Sequence, residues 1–193
     1  MPRYQKGFSL IEVMIVLVIA GIALALAVPS FTGSIDRSKR FGTVEDIYSA
    51  VRSARAEAAN GFTETVICAS ADGSTCRDEN IWEDGWIVFR DDGSGGGTAR
   101  NMARDPNEPL AALSGPAPSG ITVRTVNFTN SGAVAFNASG QASDRGTFTV
   151  CGSLGAANSS AVVLNRSGQP RLAVDSGGDG TVDNDAGANI TCP

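Results

Sequence analysis

The hydrophobic pattern of the chain changes twice along its length. From Phe8 to Val28 almost every residue is apolar, and the acid Glu12 is the notable exception. Between Val44 and Ala58 apolar residues recur at steps of three and four, which is typical of one apolar helix face. From Gly61 onward apolar and polar residues alternate between turn residues, which indicates β-strands.

The first two patterns together predict one long helix over residues 8–59. Its first half, residues 8–28, is predicted to span a membrane, because a helix of that length reaches about 32 Å. Pro29 removes one helix hydrogen bond and is predicted to kink the helix. The second half is predicted to pack on a head through Val44, Ile47, Tyr48, Val51, Ala54 and Ala58. The cations of this half are predicted to occupy solvated faces: Arg37, Lys39, Arg40, Arg52 and Arg55. The alternative for residues 37–40 is a position facing anionic lipid just outside the span.

Residues 60–193 are predicted to form a β-rich head. Short apolar alternations separated by turn residues favour antiparallel sheets, so the fold class is α+β, a helix packed on sheet. Trp86 and Val88 are predicted core residues of the second strand. Residues 92–119 are predicted to be a flexible connector, because glycine and proline interrupt them. The predicted strands lie in FTETVICA, WEDGWIVFRD, ITVRTVNF, AVAFNASG, GTFTVCG, AVVLNRSG and PRLAVD.

The four cysteines indicate two disulfides, because an even count in an exported chain is typical of a disulfide framework. Three pairings are open from the sequence. Local spacing favours Cys68 with Cys76, which leaves Cys151 to pair with Cys192 and tie down the C-terminus. The lost entropy of the closed loop predicts that the first disulfide stabilises the fold by about 2.5 kcal/mol and the second by about 4 kcal/mol. The alternative is four reduced cysteines.

The composition limits the chemistry. The chain has no histidine and a formal net charge of −5, and Arg3 and Lys6 lie in its first seven residues. Imidazole acid–base catalysis and most zinc sites are therefore excluded. No nucleophile elbow and no phosphate-binding loop is present, so we expect neither an enzyme nor a cofactor.

The N-terminal residues carry a family resemblance. The stretch KG followed by FSLIEVMIVLVIAGIALALAVPSF resembles the leader and helix of type IV pilins and pseudopilins. The resemblance implies that residues 1–7 are a leader and that prepilin peptidase cuts after Gly7 and methylates the new N-terminus at Phe8. An ordinary signal peptide is the alternative, with LALAVPS as a weak cleavage site.

Glu12 is the fifth residue of the chain that such cleavage would produce. A carboxylate in hydrocarbon is costly, by about 3 kcal/mol near the bilayer centre. The ammonium created on Phe8 could neutralise it within one chain or between neighbouring chains. Pairing between neighbours is favoured, because it would also set the register of packed helices. The alternative is a tolerated, protonated glutamate.

The head extends the resemblance. VICASADGSTC, WEDGWIVFRD, GTFTVCG and VVLNRSGQPRLA resemble minor pilins and pseudopilins of the GspH/FimT type, including FimU-like proteins, and residues 93–120 fit poorly. This implies a minor type IV pilin that helps to initiate pilus assembly at or near the tip. The alternative is a GspH-type minor pseudopilin of a type II secretion system. The implied partners are other minor and major pilins or pseudopilins, prepilin peptidase and the inner membrane, with a single-pass anchor and a periplasmic head.

One branch of that family binds DNA during natural transformation through a G-R-x-R motif. Here Gly168 is followed by Gln169, Pro170 and Arg171, so the motif is incomplete. Arg166 and Arg171 are the nearby cations, and the chain is acidic, which weakens attraction to phosphate. An ordinary β-turn with two solvated arginines is favoured over a DNA contact.

The C-terminal acids raise the question of a calcium site. Asp175, Asp179, Asp183 and Asp185 lie in a glycine-rich stretch, and carboxylate oxygens are the ligands that calcium prefers. The spacing differs from an EF-hand loop, so a solvated acidic loop is favoured over a calcium site.

Overall fold

The computed structural model describes the backbone of residues 7–193 and the side chains in that range except those of residues 25–32. The chain begins with helix α1 (Leu10–Gly61), which occupies the segment predicted to be helical. Residues 1–6 of the predicted leader and the side chain of Pro29 lie outside the described part. Cleavage after Gly7 and the kink at Pro29 therefore stay predictions.

The described chain divides into two compact units between Ile35 and Asp36, and the second unit comprises residues 36–193. In the first unit, every described side chain from Phe8 to Leu24 is exposed. Within the described residues, no helix is both long and apolar enough to cross a membrane. The span predicted over residues 8–28 includes residues 25–28, whose side chains are outside the described set, and it stays a prediction.

The second half of α1 supplies one wall of the main core. Val44, Ile47 and Val51 are buried, as are Ala54 and Ala58, and Tyr48 is partly buried against them. Their spacing of three and four residues aligns them on one face of the helix. The helix face predicted from the sequence is confirmed.

Two four-stranded antiparallel sheets complete the head, so the predicted α+β class is confirmed. The first sheet has the order β3-β2-β1-β5 and the second the order β4-β6-β7-β8. In the first, Thr65 pairs with Arg90; in the second, Thr122 pairs with Cys151. The strands are β1 (Thr65–Ala69), β2 (Trp86–Arg90), β3 (Leu110–Ser114), β4 (Thr122–Val126), β5 (Ala133–Phe136), β6 (Gly146–Cys151), β7 (Ser160–Leu164) and β8 (Pro170–Leu172).

The first sheet is buried on both faces. On one face Ile67, Trp86 and Val88 join the main core with α1. On the other face Cys68 and Phe89 belong to a second apolar cluster that Cys76 and Met102 cover. Alternate residues of a strand point to opposite faces, so one sheet can serve two clusters. The predicted core positions Trp86 and Val88 are therefore confirmed.

Both predicted disulfides are present. Cys68 and Cys76 are bonded with their Cα atoms 5.5 Å apart. Cys151 and Cys192 are bonded with their Cα atoms 5.8 Å apart, which fastens the C-terminus to β6. Both distances lie in the range normal for disulfides.

The flexible connector predicted over residues 92–119 is wrong. The segment contains a short 3-10 helix (Ser94–Gly96) and strand β3. The buried Glu108 carboxylate accepts hydrogen bonds from the N–H groups of Gly93 (2.9 Å) and Asp105 (3.0 Å). The buried Asp91 carboxylate likewise accepts from Met102 N–H at 2.8 Å and from Arg100 N–H. Two buried acids therefore fix a segment whose glycine and proline content suggested disorder.

Candidate assembly site

The N-terminal end of α1 is capped by Ser9. The Glu12 N–H donates to Ser9 Oγ at 3.2 Å and to the Ser9 carbonyl oxygen at 3.1 Å. The first N–H groups of a helix have no acceptor within the helix. An N-cap serine accepts a hydrogen bond from the N–H of the residue three positions later and so satisfies one of them. The sequence reasoning missed this role of Ser9, although a serine followed three residues later by glutamate is the capping-box signature.

The cap places Phe8 and Glu12 on the same side of the helix start. Phe8 is 82% exposed, and it lines one shallow groove with Glu12, Val13, Val16 and Leu17. A carboxylate in the first turn is favoured by the partial positive charge of the helix N-terminus. An exposed acid beside the residue that cleavage would make N-terminal is suited to meet an ammonium group.

The apolar surface around Glu12 is extensive. Leu10, Ile11 and Leu17 are all more than 60% exposed within a single chain. Exposed apolar residues in a run of this length indicate a surface that another molecule covers. A helix that presents one acid within such a surface can select the register of the helix that packs on it.

At the start of the second compact unit, Asp36 and Arg40 of α1 form a buried ion pair. Arg40 Nε donates to Asp36 Oδ2 at 2.9 Å, and both side chains are about nine-tenths buried. Asp36 Oδ1 accepts the Ser153 N–H and hydroxyl, each at 3.0 Å. The solvated position predicted for Arg40 is wrong, because the loop after β6 covers this pair.

Burial alone would raise the pKa of Asp36, but the hydrogen bonds from Ser153 and Arg40 outweigh it. The pKa therefore lies below its ordinary value of 3.8. A lowered pKa means that the ionised form is the one the fold stabilises. The loop after β6, which begins beside Cys151, is thus held to α1 by a charged clamp.

The other cations of α1 have different surroundings. Arg37 is exposed as predicted, whereas Lys39 Nζ donates to the Ser119 carbonyl at 2.9 Å. Arg55 Nε donates to the Gly140 carbonyl at 3.1 Å. The Arg52 guanidinium lies 5.9 Å from the centre of the Tyr48 ring. Lys39 and Arg55 therefore help to hold loops of the head on the helix.

The two arginines of the predicted β-turn are exposed. Arg166 lies 4.0 Å from Asp144, and Arg171 is in β8. Gly168 N–H donates to the Asn165 carbonyl at 3.0 Å, which closes the turn between β7 and β8. These are the features of the ordinary turn favoured from the sequence, and a DNA contact stays an untested alternative.

The C-terminal acids bind groups of their own loop. Asp175 accepts the N–H groups of Gly178 (2.6 Å) and Gly180 (2.8 Å). Asp179 accepts from Asn189 Nδ2 at 2.7 Å, and Asp183 accepts the Ser176 N–H at 2.9 Å. Among the described residues, no three or more histidine, cysteine or acidic side chains form a group that could hold a metal ion. The solvated acidic loop stays the favoured prediction, and calcium binding stays an untested alternative.

An apolar helix start with an acid in its first turn, joined to a disulfide-bonded antiparallel head, defines a type IV pilin-like subunit. Residues 43–168 match the family model described as type II transport protein GspH. Residues 2–28 match the prokaryotic N-terminal methylation motif. The first of these models covers more than half of the chain, so the chain belongs to the GspH family. The family and the fold are those of structural subunits.

Among curated proteins, the type II secretion system core protein G of Klebsiella michiganensis is 46% identical over 43 residues. That match covers 22% of this chain and 30% of the relative. The core protein G of Dickeya chrysanthemi is 40% identical over 47 residues, 24% of this chain and 31% of the relative. The chain thus matches less than a third of the length of these relatives.

Among solved structures, the head resembles the type IV minor pilin FimU of Pseudomonas aeruginosa. The crystal form in space group P21 has a TM-score of 0.53 at 16% identity, over 70% of this chain and 89% of FimU. At such low identity this similarity shows a common fold.

Proposed function

We propose that this protein is a minor subunit of a type IV pilin-like filament and takes part in initiating its assembly. Prepilin peptidase removes residues 1–7 by cutting after Gly7 and methylates the amine of Phe8. The observation that carries this proposal is the methylation motif over residues 2–28, which coincides with a capped, exposed apolar helix start that presents Glu12.

Glu12 acts by setting the register between subunits. Its carboxylate pairs with the ammonium of Phe8 on a neighbouring subunit, where packed helices exclude water. An unpaired charge in that environment is costly, so a neighbour shifted along the helix axis is rejected. The apolar residues around Glu12 supply the attraction, and the ion pair supplies the selectivity.

Before assembly, the first half of α1 anchors the protein in the inner membrane, and the head lies in the periplasm. The methylation motif and the exposed apolar residues of the first unit support this location. Two disulfides suit an oxidising compartment such as the periplasm. The partners are other minor and major subunits, which bury the same apolar surface in the filament.

Two kinds of filament are candidates. A type IV pilus, in which this chain would initiate assembly at or near the tip, is one candidate, and the fold shared with the type IV minor pilin FimU is consistent with a pilin subunit. A minor pseudopilin of type II secretion is supported by the GspH family model and by the N-terminal similarity to core protein G. A strain lacking this chain separates them: loss of surface pili assigns it to a pilus, and loss of secreted protein with pili intact assigns it to secretion.

The general proposal is tested on protein extracted from native membranes. We expect a mature mass that begins at a methylated Phe8. We also expect Glu12→Leu to be cleaved normally but to be depleted from sheared filaments by at least about tenfold. Glu45→Leu, which removes an exposed acid from the head half of the same helix, should be incorporated normally. A mature chain that begins elsewhere, or normal incorporation of Glu12→Leu, contradicts the proposal.

A further inference from the structure

The edges of the two sheets differ in how well they are covered. Along β4, Asn80 Nδ2 donates to the Thr125 carbonyl at 2.8 Å, and Trp82 N–H donates to the Val123 carbonyl at 3.2 Å. Along β5, the Ser143 N–H donates to the Ala135 carbonyl at 2.8 Å. The edge strand β8 is three residues long and begins with proline, two features that protect an edge from further pairing. Three of the four edges are therefore closed to a further strand.

Strand β3 forms the fourth edge and is open. It is five residues long, has the sequence LAALS and carries no charge. Apart from its pairing with β2, no hydrogen bond reaches the backbone of β3 from the described residues. The pairing with β2 is irregular between Val88 and Phe89, where Ala111 has no partner, so the regular part of this edge is residues 112–114. An uncharged edge of this kind can pair with an additional strand.

The pairing with β2 shows which backbone groups are free. The N–H of Arg90 donates to the carbonyl of Pro109 at 3.0 Å, so alternate residues of β2 face β3. Val88 therefore exchanges its backbone hydrogen bonds with its partner Ala112. The next residue of β3, Leu113, directs its N–H and carbonyl away from β2, because successive residues of a strand face opposite sides. Leu113 is also 60% exposed. The free side of β3 thus presents both hydrogen-bonding groups and apolar surface.

A groove of about 200 Å³ runs beside this edge, between β3 and α1. Ala112 and Ser114 form its strand side, and Trp86 contributes to its wall. Asp46 and Ser49 line its helix side, and Asp46 is exposed and forms no ion pair with the described residues. The groove is smaller than a typical small-molecule pocket, and its size suits single side chains.

We propose that the free edge of β3 binds an extended strand of a different protein subunit, which places a lysine or arginine in the groove beside Asp46. Backbone pairing along β3 supplies affinity, and the acid in the groove supplies selectivity. This inference rests on the proposed function in one respect: the partner is taken to be another subunit of the filament.

A second copy of this chain is a poor occupant. Its own edge strand, LAALS, has no cation to offer Asp46. Removal of residues 1–7 takes away Arg3 and Lys6, so each processed copy would carry a net charge of −7, which opposes their association. Charge complementarity therefore favours a partner whose pairing strand is basic.

The test uses the full-length chain in its native cells, with a photoactivatable phenylalanine in place of the exposed Ala111. The cross-linked peptide is identified by mass spectrometry. We expect it to come from another subunit, from a segment of alternating residues with a lysine or arginine within about three positions. A cross-link to a second copy of this chain, to a peptide without such a cation, or to no protein overturns the proposal.

Two pairs of variants identify the contacts. Asp46→Lys should reduce the cross-link by at least about tenfold, whereas Glu45→Lys, the same charge change one residue away, should alter it by less than about twofold. Leu113→Pro, which removes a free N–H, should abolish the cross-link, and Leu113→Ala should retain it. A cross-link that survives Asp46→Lys or Leu113→Pro overturns the proposal.

Folding and processing are followed in the same samples. Each variant should keep its disulfides and a melting temperature close to that of its control, so that loss of the cross-link reports on binding. If the mature chain begins elsewhere than at Phe8, the proposed function fails. If the chain is processed and incorporated but no strand cross-links at Ala111, only the β3 inference fails.

Discussion

At the scale of single residues, Asp36 shows how one side chain can join distant parts of the head. Its carboxylate binds Arg40 one helical turn away and Ser153 in the loop after β6. Space there is tight, because a Cβ atom on Gly152 would clash with the Asp36 carboxylate. The clamp therefore depends on the carboxylate, the arginine and the glycine together.

We expect Asp36→Asn to lower the free energy of unfolding by about 3 kcal/mol near neutral pH, because Arg40 would keep a buried charge without its partner. The measurement is urea unfolding of the full chain in detergent. The matched control is Asp46→Asn, an exposed acid on the same helix, which should change stability by less than about 0.5 kcal/mol. Equal effects of the two variants would contradict the clamp.

The same pair predicts a dependence on pH. Because the pKa of Asp36 is lowered in the fold, its stabilisation is complete above the ordinary value of 3.8 and is lost as the pH falls through the folded pKa. The difference in stability between wild type and Asp36→Asn should therefore shrink below about pH 4. A difference that stays constant from pH 7 to pH 3 would contradict this assignment.

At the scale of elements, the disulfides act on loops of different length. Cys68 and Cys76 are 8 residues apart, and Cys151 and Cys192 are 41 residues apart. A longer closed loop removes more freedom from the unfolded chain. Replacing both cysteines of a pair by alanine should cost about 2.5 kcal/mol for the short loop and about 4 kcal/mol for the long one. Denaturant unfolding measures both losses, and the reverse order would contradict the loop-closure account.

The segment between β2 and β3 owes its order to buried acids. Glu108 holds two N–H groups of this segment with one carboxylate. In Glu108→Gln the amide NH₂ would face one of those donors, so the segment should open more often. We expect faster tryptic cleavage after Arg100 or Arg104 in this variant than in Glu45→Gln, whose acid is exposed. Unchanged cleavage would show that other contacts fix the segment.

At the scale of the whole molecule, the buried apolar residues that the structure describes all belong to the second compact unit. All residues of both apolar clusters lie between Val44 and Leu164, within the second compact unit. A fragment of residues 33–193 should therefore be soluble, form both disulfides and unfold in one cooperative transition. Circular dichroism during heating and mass measurement without reduction check this. Aggregation or a gradual transition would show that the first unit is needed for folding.

The sequence by itself determined the features that depend on local pattern. Apolar spacing of three and four placed Val44 and Ala58 on one buried helix face, because a helix repeats at that period. Alternation located most strands, although β3 was missed among glycine and proline residues. Cysteine spacing gave both disulfides, and the N-terminal residues gave the methylation motif that the family comparison supports. The S-x-x-E cap at Ser9 could have been found in the same way.

Only the tertiary structure decided which polar residues are buried and which edge is open. Arg37 and Arg40 belong to the same polar pattern, yet one is exposed and the other is enclosed. The difference arises because Ser153, 117 residues from Asp36, folds back over the helix. In the same way, β3 is an open edge because the chain path gives it one neighbouring strand. Contacts between residues so far apart depend on the route of the chain through space, which local periodicity does not specify.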